Sequence, residues 1–448
     1  MSLMLAFGWS SIMLLLGMLL RAKVSLLRNM LVPASVIAGI LGIIFVNIAE
    51  TAGVDIGTDT SMFTTIVNHL FTVSFISISL MVTPRNSGNT PKVMLKGIIG
   101  MGVVWSLLYA ITPIIGAGVV YLTGKSFDMN CIYGMLIPFA FCQGPGQSVT
   151  YGGMFEKFGW PNAITVAVAY SVIGFIVAFV IGIPLAKWGI QKGYAKFSGR
   201  IDEKILKGYL KKDEQTATMV KDTTCNSNIE TLAFHFALIG LCYVLAVLIS
   251  KIFSYIPGFL GIVLSSMMFM NGIYAAYIVK KIMQKLSIDF LMENTLQSKI
   301  TGWTSDYLVV CAFMSVSVSI ISKWIVPMFA VCAVMTVVTF FVCMYFGRRF
   351  GGINDFERTV GLYGTCTGTV PSGITLIRIV DPDFRTSTSV ELGACNIVMS
   401  VNTPVYLLIL AHASGSLSVE KTIGGMALCA IAYLVLLKVT GAWGKRTY

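Results

Sequence analysis

The sequence predicts an all-α polytopic membrane protein: about eleven transmembrane helices, two inverted five-helix repeats each with a re-entrant hairpin, and one extra C-terminal helix. Three observations predict it. Of the 448 residues, 56% are hydrophobic and 12% charged, against about 25% charged in soluble domains. Uncharged apolar runs of the roughly 20 residues that a bilayer-crossing helix needs recur from end to end. Two further apolar segments, near 131–155 and 359–380, are interrupted by glycine, proline and hydroxyl side chains.

Taken in order, spans are expected near 4–20, 31–49, 62–83, 97–122 and 162–186, then near 232–250, 258–279, 305–322, 324–346, 388–411 and 422–440. The opening run MLAFGWSSIMLLLGMLLR has no basic leading region and no small-residue cleavage site. It reads as the first span, not a cleaved signal. Residues 187–230 form a polar interlude, and GRIDEKILKGYLKKDEQ within it reads as a charged amphipathic helix outside the bilayer. The chain thus divides into a first repeat over 1–186 with its hairpin at 131–155, a cytoplasmic charged linker over 187–230, a second repeat over 231–411 with its hairpin at 359–380, and an extra helix and tail over 412–448.

The net charge of +12 does not mark nucleic-acid binding, because a polytopic protein gathers such an excess on its cytoplasmic loops. Place the N-terminus outside and let each broken segment enter and leave on one side. Then 27 of the 32 lysines and arginines fall inside, Arg358 and Arg378 among them. A full crossing by either broken segment would swap every later loop and degrade that bias. The ten cysteines are scattered without a CxxC pair and read as small apolar fillers. His69, His235 and His412 show no metal-ligand spacing. No HExxH, GxSxG, paired-carboxylate or phosphate-loop motif appears, which argues against a membrane enzyme and ATP-driven transport.

An internal repeat is visible. LVPASVIAGILG (31–42) and YIPGFLGIVLSS (255–266) each put a proline at the head of the second span of a half. Pro33 to Pro145 is 112 residues, and Pro257 to Pro371 is 114. A unit with an odd number of crossings re-enters from the opposite side when repeated. Two such halves are inverted copies, a construction common in secondary transporters.

The first broken segment reads FAFCQGPGQSVTYGGMFEKFGWPN and the second TVGLYGTCTGTVPSGITLIRI. Pro145 and Pro371 remove backbone donors. Interrupted backbone at membrane depth is tolerated only where it is buried in protein or lines a watery cavity. Freed carbonyls suit a hard cation such as Na+, and freed amides at a half-helix N-terminus suit a carboxylate. The tips therefore nominate substrate-binding residues: Gln143, Gly144, Gly146, Gln147 and Ser148 in the first, and Thr365, Thr367, Gly368, Thr369 and Ser372 in the second. Thr365, Thr367 and Thr369 alternate, so an extended tip would present their hydroxyls on one face.

Arg378, about two turns beyond Pro371, either pairs a substrate carboxylate or snorkels to the inner interface near Asp381 and Asp383. Thr150, Asn162 and Thr165, with Asn396, Ser400 and Asn402, either complete a sodium shell or bond neighbouring helices. Ser74, Ser77 and Ser79 carry the same ambiguity. No acidic residue sits mid-span, and Glu156 and Glu391 lie at span edges. Sodium coupling is therefore favoured over a buried proton relay.

Two five-span halves, a glycine-rich hairpin in each and a central charged loop together resemble the bacterial sodium/glutamate symporters and, more distantly, the sodium/citrate carriers. GPGQSVTYGGMFEKFGWPNAITVAVA, GFIVAFVIGIPLAKWGI and YGTCTGTVPSGI carry the likeness. Where that family's first hairpin usually reads Gly-Gly-His-Gly-Thr, this chain reads Gln143-Gly144-Pro145-Gly146-Gln147. The resemblance implies a sodium-coupled symporter of a small anionic solute, glutamate first, with Na+ as coupling ion and elevator-type alternating access. It also implies a homodimer in the bacterial inner membrane. With the charge bias, the N-terminus is expected outside and the C-terminus in the cytoplasm. The alternative is a proton-coupled carrier or exchanger of another carboxylate.

Overall fold

The computed structural model describes residues 2–25, 27, 32–81, 91–195, 223–224, 229–382 and 385–448. The amphipathic helix expected at 199–215 lies outside them. Regular structure among the described residues is entirely helical. In chain order, α1 (Ser2–Lys23), α2 (Ala34–Thr51), α3 (Thr60–Leu80) and α4 (Pro91–Thr123) lead to the first hairpin. That hairpin is a 3-10 turn at Cys131–Leu136, the short α5 (Ile137–Phe141) and, after a break, α6 (Pro145–Lys157). Next come α7 (Ala163–Gln191), α8 (Thr231–Ser254), α9 (Phe259–Ser266), α10 (Met268–Lys285), α11 (Asn294–Met314) and α12 (Val318–Gly347). The second hairpin is α13 (Asp355–Thr367) and α14 (Val370–Val380). After α15 (Thr388–Val398), a 3-10 turn at Met399–Asn402 and α16 (Thr403–Ala413), the last helix is α17 (Val419–Val439).

Several helix starts are fixed by acidic caps. The Asp59 carboxylate accepts from the Ser61 and Met62 amides at α3, Glu230 from Ala233 at α8, and Glu293 from Leu296 at α11. Pro113, Pro184 and Pro327 lie inside α4, α7 and α12, as membrane bundles allow when neighbours re-satisfy the freed groups.

Among the described residues eight helices are long and apolar enough to cross a membrane, or nine if one bent pair is a single span. About eleven were expected, and three expected spans account for the difference. The one at 258–279 bends by 68° between α9 and α10, where Met267 leaves helical geometry at φ −82°, ψ 63°. Asn271 Nδ2 donates to the nearby Leu264 carbonyl at 3.1 Å. The one at 305–322 ends at Met314, and its helix, α11, carries Asn294, Gln297, Lys299 and Asp306, too polar for the set of eight. The one at 388–411 is in three pieces. Pro404, in the first turn of α16, has no backbone N–H to extend the preceding helix.

Contacts gather the chain into two compact units, the first from Met1–Met18, Ile37–Asn86 and Leu210–Ser315, the second from Leu19–Val36, Ser87–Tyr209 and Val316–Tyr448. Each half of the sequence thus contributes to both units. In the first, α3, α8, α10 and α11 meet around Ile76, Leu80, Cys242, Ala246, Ala275, Ala276 and Ile300, small residues letting the helices approach. Ser77 Oγ lies 2.5 Å from Gln297 Oε1, so this serine bonds helix to helix. His235 Nε2 accepts from the Glu293 amide at 2.9 Å, which leaves Nδ1–H to donate to the Thr231 carbonyl at 2.8 Å. The second unit holds α4, α7, α12, α15 to α17 and both hairpins.

Candidate functional site

Each hairpin turns at a short break rather than a long loop. Between α5 and α6, Gly144 adopts φ 77°, ψ −168°, a conformation essentially restricted to glycine. Between α13 and α14, Gly368 leaves helical geometry at φ −145°, ψ −101°, and Thr369 is extended at φ −147°, ψ 170°. Pro145 and Pro371 sit in the first turn of the outgoing helices, where the missing N–H has no intrahelical partner to lose.

The two breaks touch. A Cβ on Gly144 would stand 2.3 Å from Thr369 Cγ2 and 3.2 Å from the Gly368 carbonyl oxygen. A Cβ on Gly174 of α7 would stand 2.5 Å from the Thr367 carbonyl oxygen and 3.3 Å from Phe141 Cδ2. Gly174 therefore lets α7 pass against the ends of both incoming helices. The N-termini of α6 and α14 and the C-termini of α5 and α13 share this one place. Amide ends favour an anion; carbonyl ends favour a cation.

The first tip is held by side chains from other helices. Trp105 Nε1 of α4 donates to the Cys142 carbonyl at 2.8 Å, taking up a carbonyl at the end of α5. Tyr109 of α4 donates its hydroxyl to Gln147 Oε1 at 3.0 Å. Gln143 Nε2 donates to the Tyr406 hydroxyl of α16 at 2.9 Å. The rings close round the glutamines: Tyr109 is edge-on to Tyr406 with centroids 5.0 Å apart, and Phe139 stacks on Tyr151 at 3.9 Å. Ser148 and Thr150 turn back on their own helix, donating to the Gly144 and Gly146 carbonyls at 3.0 and 2.9 Å.

The second tip is held by its own helix. Thr365 Oγ1 donates to the Gly361 carbonyl at 2.9 Å and Thr367 Oγ1 to the Tyr363 carbonyl at 2.7 Å, both side chains buried. This corrects the expected shared hydroxyl face. Helix persists through Thr367, and helical residues two apart point to nearly opposite sides. Thr369 alone is extended, with its hydroxyl 3.5 Å from that of buried Ser372.

Other nominated residues fall elsewhere. α6 and α7 run antiparallel, since a Cβ on Gly152 would meet Ile164 Cα at 2.7 Å, while tip depth on α7 is Gly174. Thr165, nine residues earlier, is therefore about 13 Å from that depth along the helix. Asn162, in left-handed geometry at φ 65°, is farther still. Glu156 accepts from the Ile164 amide and caps this base. Arg378 is exposed in the last turn of α14, where a cation complements the helix dipole. Asn402 is fully buried and interacts with the Tyr406 hydroxyl. The side chains of Asn396 and Ser400 lie outside the described residues.

A second polar cluster locks the base of the second hairpin. Arg358 Nε and Nη2 donate to Glu391 at 2.7 and 2.9 Å, Nη1 donates to Asp355 at 3.0 Å, and Nη2 also reaches the Val93 carbonyl at 3.0 Å. All three charged side chains are buried. A Cβ on Gly97 would stand 2.4 Å from Arg358 Nη2, so α4 admits the guanidinium only at a glycine. Arg358, expected as a loop cation, is instead a buried ion-pair partner. Thr447 donates to Asp355 at 2.9 Å and Tyr448 lies 2.6 Å from Thr359 Oγ1, so the chain after α17 returns to this base.

Sequence reasoning missed Trp105, Tyr109, Gly174 and Tyr406 because nothing local marks them. Pro404 in VNTP is a third interruption, legible by the same rule as Pro145 and Pro371.

The profile of the sodium/glutamate symporter family matches residues 2–386. The sodium/glutamate symporter of Escherichia coli (strain K12) is 21% identical over 392 residues, covering 84% of this chain and 88% of that protein. The sodium/glutamate symporter of Shigella flexneri gives the same identity and coverage. The matched span takes in α1 to α14, including both hairpins and the tips that meet at Gly144 and Thr369, and the chain belongs to the sodium/glutamate symporter family.

Proposed function

We propose that the protein is a sodium-coupled secondary active transporter of a small anionic solute, glutamate first, working by elevator-type alternating access. The observation that carries the reading is the contact of the two interrupted segments, Gly144 against Thr369. In it the amide ends of α6 and α14 favour a substrate carboxylate. Gln143, Gln147 and Ser148, with Thr367, Thr369 and Ser372, supply neutral hydrogen-bonding groups around them. Sodium, as co-transported cargo, would be held by neutral oxygens: carbonyls at the ends of α5 and α13, the Gln143 amide oxygen, which is buried without a hydrogen-bond partner, and Asn402. Asn162, Thr165 and Arg378 serve the hairpin bases in this reading.

Both tips lie in the second unit, so that unit would carry substrate and ion together, and the first would be the scaffold and homodimer contact. The division of each half between the two units supports an inverted repeat. The lysine and arginine bias supports an inner-membrane orientation with the N-terminus outside.

Uptake of labelled glutamate into proteoliposomes tests the reading, with an imposed Na+ gradient and then an imposed H+ gradient. Accumulation driven by Na+ alone is expected. Accumulation driven by H+ and indifferent to Na+ would replace this reading with a proton-coupled carrier.

A further inference from the structure

Gln143 sits in the break of the first hairpin, and its two amide arms are treated differently. Nε2 donates to Tyr406 at 2.9 Å, while Oε1 is buried and takes no hydrogen bond. A buried amide oxygen in that condition carries an uncompensated desolvation penalty, which is offset when a ligand supplies a donor or a positive charge.

The donor arm of the amide is anchored on a crowded hydroxyl. Its partner, the Tyr406 hydroxyl, also meets Asn402. The Tyr406 ring is wedged edge-on against Tyr109 at 5.0 Å and beside Tyr151 at 5.7 Å. The Tyr109 hydroxyl lies between Gln147 Oε1, at 3.0 Å, and the Tyr406 hydroxyl, so it too is engaged. The neighbouring backbone oxygen, that of Cys142, is already engaged by Trp105 at 2.8 Å. A carboxamide has donors on one arm and an acceptor on the other. Anchoring the donor arm on Tyr406 therefore presents the oxygen as an acceptor.

We propose that Tyr406 is a positioning residue that holds Gln143 Oε1 as the acceptor for a cationic group, either the sodium ion or the ammonium group of an amino-acid substrate. A carbonyl dipole repels an anion, so this oxygen is not part of the carboxylate site. The proposal rests on the transporter reading and deepens it by assigning one atom to one charge.

The test uses the purified full chain in detergent. Thermal stabilisation is titrated with NaCl against choline chloride at constant ionic strength. At saturating Na+ it is then titrated with glutamate and with glutarate, which lacks the ammonium group. Tyr406→Phe keeps the ring and removes the hydroxyl. If the cation is sodium, half-saturating Na+ rises about fivefold to tenfold, the weight of one oriented hydrogen bond, and both organic affinities hold. If it is the ammonium, glutamate affinity falls by about that factor and glutarate affinity holds.

Unchanged constants overturn the proposal, and so does an equal loss for glutamate and glutarate with Na+ unchanged, which marks a merely structural role. Gln143→Leu must give the same selective loss, and it decides the matter if Tyr406→Phe does not fold. A wild-type protein stabilised by neither Na+ nor glutamate also overturns it. The transporter reading fails separately, when wild-type proteoliposomes show no sodium-driven uptake.

Discussion

The two hairpins reach the same contact by opposite means. The first lends its tip to other helices: Gln143 and Gln147 bond Tyr406 of α16 and Tyr109 of α4, and Trp105 takes the Cys142 carbonyl. The second keeps its tip to itself: Thr365 and Thr367 bond carbonyls of α13, one turn back. Its anchorage is at the base, in the ion cluster of Arg358, Asp355 and Glu391. A tip held from outside depends on where α4 and α16 stand. A tip held by its own helix moves as a piece with that helix and depends on what clamps its far end.

The largest effect expected from this contrast is at the clamp. Arg358→Gln leaves two buried carboxylates without their cation, and removing one partner of a buried pair costs about 3–5 kcal/mol. Thermal denaturation of the purified variant should show a markedly lower midpoint; an unchanged midpoint would mean the base is held by something else. Next is the backbone of the first tip. Gly144→Ala forces a side chain into glycine-only geometry, about 1–3 kcal/mol before any clash. Gly368→Ala has no positive φ to strain, and its Cβ would meet Ser372 Oγ at 2.9 Å, Ser372 Cβ at 3.2 Å and the Gly364 carbonyl oxygen at 3.3 Å, a milder crowding. Uptake should collapse in the first variant and survive in the second; equal losses would erase the difference between the tips.

A smaller change is expected at the second tip. Thr367→Val keeps shape and helix, so melting should hold. It removes a hydroxyl in the last residue of α13, beside the break, so uptake should fall about tenfold, or about 1.4 kcal/mol. Uptake at the wild-type rate would take Thr367 out of the site. The smallest effect belongs to Arg378→Gln, in an exposed last turn, where apparent glutamate affinity should hold; a tenfold rise in KM would bring Arg378 back to the substrate.

Much of this was legible in the residues. Glycine and proline at both tips announced the breaks, and the prolines sit where broken helices restart. The extended threonine face was misread because helix propagates until its last carbonyl finds a reason to stop, which here is Gly368 rather than Gly364. In the sequence Asn162 and Thr165 stand open between a sodium shell and bonding between helices; the length of α6 carries them to the base of the hairpin. Tyr109 and Tyr406 lie nearly 300 residues apart, and no local pattern can pair them. Arg358 counted as a loop charge because its partner Glu391 lies 33 residues away. Asp355, one helical turn before Arg358, was the available hint.

The contact between the tips is tested most directly by a double-mutant cycle on thermal stability, joining Gly144→Ala with Thr369→Ser. Serine lacks the Cγ2 methyl that an added Cβ would meet at 2.3 Å. The double variant should recover part of the loss from Gly144→Ala, with a coupling of about 0.5–3 kcal/mol. Losses that simply add would show that residues 144 and 369 do not touch, and would contradict the meeting of the two hairpins.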